Sequence, residues 1–115
     1  MAGSGKSATR EFRIQRTTAL ALIPLAFVLI AMVIALAGSD YETAHAYLGN
    51  PILALLVLVI IVVAAAHMRI GMGEIIADYV HNGFLKALSV FGNVLFCAAV
   101  VLGSVYAAAK ILFGF

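Results

Sequence analysis

Three long apolar runs, separated by short polar breaks, organise this chain. Residues 17–37 hold no charged side chain. Residues 52–66 hold none either, and their helical pattern continues past His67 to about Ala77. Residues 87–112 carry Lys110 as their single charge, near the far end. A membrane helix needs about 20 mostly apolar residues, because hydrocarbon is about 30 Å thick and each helical residue rises about 1.5 Å. In lipid the backbone polar groups must pair within the segment, so such runs have to be helical. The breaks fit this reading. Gly38-Ser39-Asp40 closes the first run, and Asn50-Pro51 offers an N-cap followed by proline at the first helical position. His81-Asn82-Gly83 is a turn before the third run. Pro24 lies inside the first and is expected to kink it. The pattern predicts an all-α protein of three transmembrane helices at about 17–37, 51–77 and 85–112, in one domain over 1–115 with a cytoplasmic tail at 1–16.

Composition agrees with lipid as the solvent. Of 115 residues, 65% are hydrophobic and 10% charged, whereas a soluble domain carries about 25% charged residues. The mean hydropathy is +1.17. A formal net charge of +2 with no basic stripe argues against a nucleic-acid partner. The single cysteine, Cys97, rules out an intrachain disulfide or a Cys-based zinc site and reads as a small core residue. Basic residues give direction. Lys6, Arg10, Arg13 and Arg16 precede the first run, and Arg69 and Lys86 flank the second turn. Residues 38–50 hold no Lys or Arg. The positive-inside rule then puts the N-terminus in the cytoplasm and the C-terminus outside. The basic start and Ala35-Leu36-Ala37 suggest a signal peptide, but an apolar stretch of about 20 residues exceeds the 7–15 of a signal core, so the run reads as a retained helix.

Weaker signals point nowhere specific. Ala31 with Ala35, and Ala99 with Gly103 and Ala107, form small-residue stripes of the kind that let helices approach closely. Gly5-Lys6-Ser7 resembles the end of a phosphate loop but lacks the earlier glycine and the preceding strand. No Ser, His and acid stand in a context that suggests a nucleophile.

The informative stretch is 67–79. At about 100° per residue, His67, Gly71, Glu74 and Asp78 share one narrow sector of a helix, which Ile60, Val63 and Ala64 extend as an apolar face. His67 is the only histidine in a predicted span, since His45 and His81 fall in the connections. Ionisable groups at such depth are costly and face a bundle interior with a specific partner. A histidine can ligate haem iron, and Gly71, one turn on, would leave room for a flat macrocycle. By pattern alone, a histidine bonded to a neighbouring helix or headgroup is the favoured reading. Tyr79 reads as an interfacial anchor, and Asp78 as a turn cap or a partner for Arg69 or Lys86.

His67-Met68-Arg69-Ile70-Gly71, with Asp78-Tyr79-Val80-His81 beginning eleven residues after the first histidine, closely resembles the second helix of the hydrophobic membrane-anchor subunit of succinate dehydrogenase, in its alphaproteobacterial and mitochondrial form. Gln15-Arg16-Thr17-Thr18-Ala19 and Leu22-Ile23-Pro24-Leu25 extend the likeness over nearly the whole chain. It departs at Arg69 and Ile70, where relatives often carry an aromatic, at Glu74, where Gln is frequent, and in having no Trp. The resemblance implies that His67 is an axial ligand of haem b, shared with a second anchor, and that Arg16 meets a haem propionate. It implies that Tyr79 hydrogen-bonds a ubiquinone carbonyl, with Asp78 beside it. A second histidine ligand would have to come from another chain.

The reading that follows is the membrane anchor of succinate:ubiquinone oxidoreductase in the bacterial inner membrane. Its partners would be a flavoprotein, an iron–sulfur subunit, a second anchor (cytochrome b556-like) and lipid. The chain itself would do no succinate chemistry. The alternatives are a cofactor-free structural or assembly protein, a transporter subunit whose stripe at His67, Glu74 and Asp78 lines a proton path, and a fumarate reductase anchor.

Overall fold

Four helices make up the computed structural model, which describes the backbone of residues 5–115 and side chains from Ala8 onward: α1 (Gly5–Leu36), α2 (Tyr41–Leu48), α3 (Pro51–Tyr79) and α4 (Gly83–Phe113). Three stretches within them are long and apolar enough to cross a membrane: Ala8–Leu36, Pro51–Tyr79 and Gly83–Phe113. The 29 residues of α3 span about 43 Å at 1.5 Å each, so its ends project past a hydrocarbon layer of about 30 Å. No strand is present among the described residues.

The caps are set by local chemistry. Asn50 is extended (φ −69°, ψ 122°), and its Oδ1 accepts from Ile52 N at 2.9 Å, with Pro51 in the first turn. Asn82 accepts from Leu85 N at 3.0 Å and starts α4, which ends at Gly114 in the left-handed conformation (φ 71°). Gly38 (φ 78°) turns the chain out of α1. Asp40 then accepts from Thr43 N at 2.9 Å and opens α2. Hydrogen bonding from the Thr43 side chain, and then from its backbone, holds the Asp40 carboxyl below its ordinary value of 3.8.

Two boundaries differ from the sequence expectation. The segment read as a tail is already helical from Gly5, and α1 runs through Pro24 into the apolar run without a break. The charges there govern what lies in lipid, but they do not prevent a helix. The connection at 38–50 is not a plain loop, since α2 occupies most of it. Lys6 and the Gly5-Lys6-Ser7 side chains lie outside the described residues.

Packing centres on α3. Of the seven buried hydrophobic side chains among the described residues, five belong to it: Ala54, Ile60, Ala65, Ile70 and Ile76. Met32 of α1 and Cys97 of α4 are the others, which fits Cys97 as a small core residue. α1 and α4 both pack on α3 and hardly touch one another. Asn93 of α4 ties the bundle by donating from Nδ2 to Arg69 O at 2.8 Å, and Cys97 Sγ lies 3.8 Å from Asn93 Oδ1. Large side chains such as Phe27, Phe91 and Phe96 stay exposed, as expected where lipid or another membrane chain is the surroundings. Ala31, Ala35, Ala99 and Gly103 are also exposed, so the small-residue stripes are not what brings these three helices together.

Candidate functional site

The polar sector of α3 faces α1, and the two helices match each other turn by turn. Glu11, Gln15 and Thr18 recur at four- and three-residue spacing on α1, which puts them on one face. Running antiparallel, Thr18 meets His67, Gln15 meets Gly71, and Glu11 opens onto the level of Glu74 and Asp78. The expected stripe of His67, Gly71, Glu74 and Asp78 therefore faces this helix-to-helix contact.

His67 is half-buried, and its Nδ1 lies 3.1 Å from Thr18 Oγ1. The hydroxyl also lies 2.8 Å from Ile14 O and 3.0 Å from Gln15 O. A hydroxyl has one hydrogen, and carbonyl oxygens only accept. When the Thr18 proton goes to either of these carbonyls, its oxygen meets His67 Nδ1 with a lone pair. In its neutral form His67 then carries its proton on Nδ1 and leaves the Nε2 lone pair available. No other hydrogen bond to the ring is found among the described residues.

A Cβ added at Gly71 would stand 3.1 Å from Gln15 Nε2, so the missing side chain lets α1 approach α3 closely. Gln15 Oε1 is buried against this contact with no hydrogen-bond partner.

Toward the C-terminal end of α3, a cavity of about 500 Å³ opens between the helices. Glu11, Arg69, Glu74, Asp78 and Lys86 line it, with Asn93 and Ile70 among the other walls. Asp78 forms no ion pair with Arg69 or Lys86 among the described residues; Lys86 Nζ instead reaches Ala77 O at 3.4 Å. Tyr79 does not line the cavity and is 76% exposed at the end of α3. Arg16 is exposed on α1, two residues before Thr18 and off its Gln15–Thr18 face. The structure brings Asp78 and Glu74 together with two cations, and His67 together with Thr18. It leaves Arg16 and Tyr79 at the surface. No group of three or more His, Cys, Asp or Glu side chains able to hold a metal ion alone occurs among the described residues. Within the three membrane-length stretches, His67 is the one histidine.

Sequence reasoning passed over Thr18, Gln15 and Glu11 as site residues. Their signal was available, as polar side chains at one helical face, set at the depth of the α3 stripe.

Comparison with known proteins agrees with the geometry. The family described as "Succinate dehydrogenase/Fumarate reductase transmembrane subunit" matches residues 3–106. The succinate dehydrogenase hydrophobic membrane anchor subunit of Paracoccus denitrificans is 31% identical over 112 residues, covering 97% of this chain and 86% of that protein. No solved structure matches. With three membrane-length helices and a match over most of its length, the chain belongs to the transmembrane anchor subunits of the succinate dehydrogenase/fumarate reductase family.

Proposed function

We propose that this chain anchors a succinate:ubiquinone oxidoreductase in the bacterial inner membrane and supplies one haem ligand and part of the quinone site. The observation that carries the proposal is the hydrogen bond between Thr18 Oγ1 and His67 Nδ1, which frees Nε2 at membrane depth. A metal-bound histidine characteristically gives its other ring N–H to a fixed acceptor. His67 would hold haem b from this chain, and a histidine of the other anchor subunit would hold it from the opposite side. Arg16, exposed on the same helix as Thr18, is free to meet a propionate. When bound, haem supplies a one-electron store between the anchors.

The quinone end follows from the end of α3. Tyr79 lies about 18 Å beyond His67 along the helix. Its exposed phenol is open to a partner subunit and to a quinone carbonyl. Ubiquinone takes up two electrons and two protons on reduction. The Tyr79 hydroxyl donates to the carbonyl oxygen, which gathers charge as electrons arrive, and Asp78 borders a cavity that Glu11, Glu74, Arg69 and Lys86 also line. Electrons come from succinate through the flavoprotein and the iron–sulfur subunit. Arg10, Arg13, Arg16, Arg69 and Lys86 gather at one end of the bundle, which supports a cytoplasmic N-terminus with the soluble subunits on that side.

The test is purification through a tag on this chain in mild detergent. Recovery of a flavoprotein, an iron–sulfur protein and a second anchor is expected, with succinate-dependent reduction of a ubiquinone analogue. Tyr79→Phe should cut quinone reduction by about 10²-fold while succinate oxidation with an artificial dye persists. Recovery of the chain alone refutes the proposal.

A further inference from the structure

Thr18 lies outside the residues that the family resemblance assigns a role, yet it makes a side-chain hydrogen bond that joins α1 to α3. We propose that Thr18 is a positioning residue for the haem-binding histidine: its hydroxyl fixes the rotation and tautomer of the His67 ring and sets how strongly Nε2 donates to iron. This rests on the reading of His67 as a haem ligand.

The hydroxyl is not a free rotor. It sits 2.8 Å from Ile14 O and 3.0 Å from Gln15 O, carbonyls of the preceding turn of its own helix, and that anchoring points an oxygen lone pair across the contact. The branched Cβ of threonine restricts χ1 further. Forty-nine residues separate the two partners in sequence, so the packing of α1 on α3 sets the ring's position. Gln15 cannot take over this part. Its amide is held one turn away against Gly71, and its Oε1 is buried without any partner.

An acceptor on Nδ1–H makes the imidazole a stronger donor through Nε2. Stronger donation favours the more highly charged ferric iron over ferrous. Loss of the acceptor therefore raises the haem midpoint potential and loosens the haem. Thr18→Val keeps the shape and removes the oxygen, whereas Thr18→Ser keeps the oxygen and removes the methyl.

The experiment compares these variants in the complete purified complex by redox titration of the haem, low-spin EPR, and haem retention against a haem-scavenging globin. For Thr18→Val the ferric-to-ferrous ratio at fixed potential should fall about tenfold, an upward shift of about 59 mV for a one-electron couple. Haem affinity should fall by roughly 10- to 100-fold. Thr18→Ser should match the wild type in all three readouts. Thr18→Ala carries the valine variant's prediction where that variant fails to assemble. Haem-replete complexes in which valine or alanine leaves potential, EPR signal and retention unchanged would overturn the proposal alone. A serine variant that shifts as far as the valine variant also overturns it, because packing and not the hydroxyl would then be responsible. A wild-type complex without haem overturns the reading of His67, and this inference with it.

Discussion

Replacing Gly71 with leucine tests the contact on which the site depends. A Cβ at this position already stands 3.1 Å from Gln15 Nε2, a few tenths of an ångström closer than comfortable contact. Alanine should be tolerated. The atom it meets is the end of a flexible side chain, and alanine is favoured over glycine in a helix by about 0.8–1.0 kcal/mol. Leucine adds three further carbons on the side of the Gln15 contact, so Gln15 is displaced and α1 pushed back from α3, at a cost of about 1–3 kcal/mol for overpacking. His67 lies one turn away, and its contact with Thr18 is 3.1 Å long. A retreat of about half an ångström takes it past hydrogen-bonding range. The assay is the thermal midpoint of the detergent-purified complex together with haem per complex. Gly71→Leu should lower both and Gly71→Ala neither. A leucine variant with wild-type stability and haem content would show that α1 does not lie against α3 at this point, and the argument from the Gln15–Gly71 contact would fail.

Asn93→Ala removes the donor to Arg69 O and should destabilise the α3–α4 pair by about 0.6 kcal/mol, up to about 1.7, as seen for interhelical hydrogen bonds in membranes; thermal unfolding of the same complex reads it, and an unchanged midpoint contradicts the contact. For α2 the sign follows from the lowered Asp40 carboxyl: its capping is fully present above the ordinary value of 3.8 and is lost as pH falls below it through the folded value. Amide exchange at Ala44–Leu48 should therefore quicken selectively below that pH, and Asp40→Ala should abolish this dependence.

Much of the fold is legible because lipid imposes a simple rule. The runs at 17–37, 52–66 and 87–112 have nowhere to lie but in a membrane, and Asn50-Pro51 and Asn82 mark where two helices begin. Two parts escaped that rule. Hydropathy reports what tolerates lipid, so Arg10, Arg13 and Arg16 hid the first turns of α1, although their charges sit comfortably on an exposed helical face. α2 is short and weakly apolar, and Gly38-Ser39-Asp40 read only as the close of the first run, although Asp40 caps α2. At the site, the stripe from His67 to Asp78 was visible at helical spacing, and it does share one face. What it faces was hidden in α1. Gly71 lets α1 approach closely at Gln15, a contact that its own helix does not reveal. Asp78 read as a turn cap or a partner for Arg69 or Lys86, and among the described residues it faces a cavity in place of an ion pair.

The most direct test of the account is the reduced-minus-oxidised absorption spectrum of the purified wild-type complex beside that of His67→Ala. The account predicts a b-type haem in the wild type, and its loss or conversion to high spin when His67 is removed, with the soluble subunits still oxidising succinate. An unaltered low-spin haem in the His67→Ala complex would contradict it, because the iron would then take its ligands elsewhere.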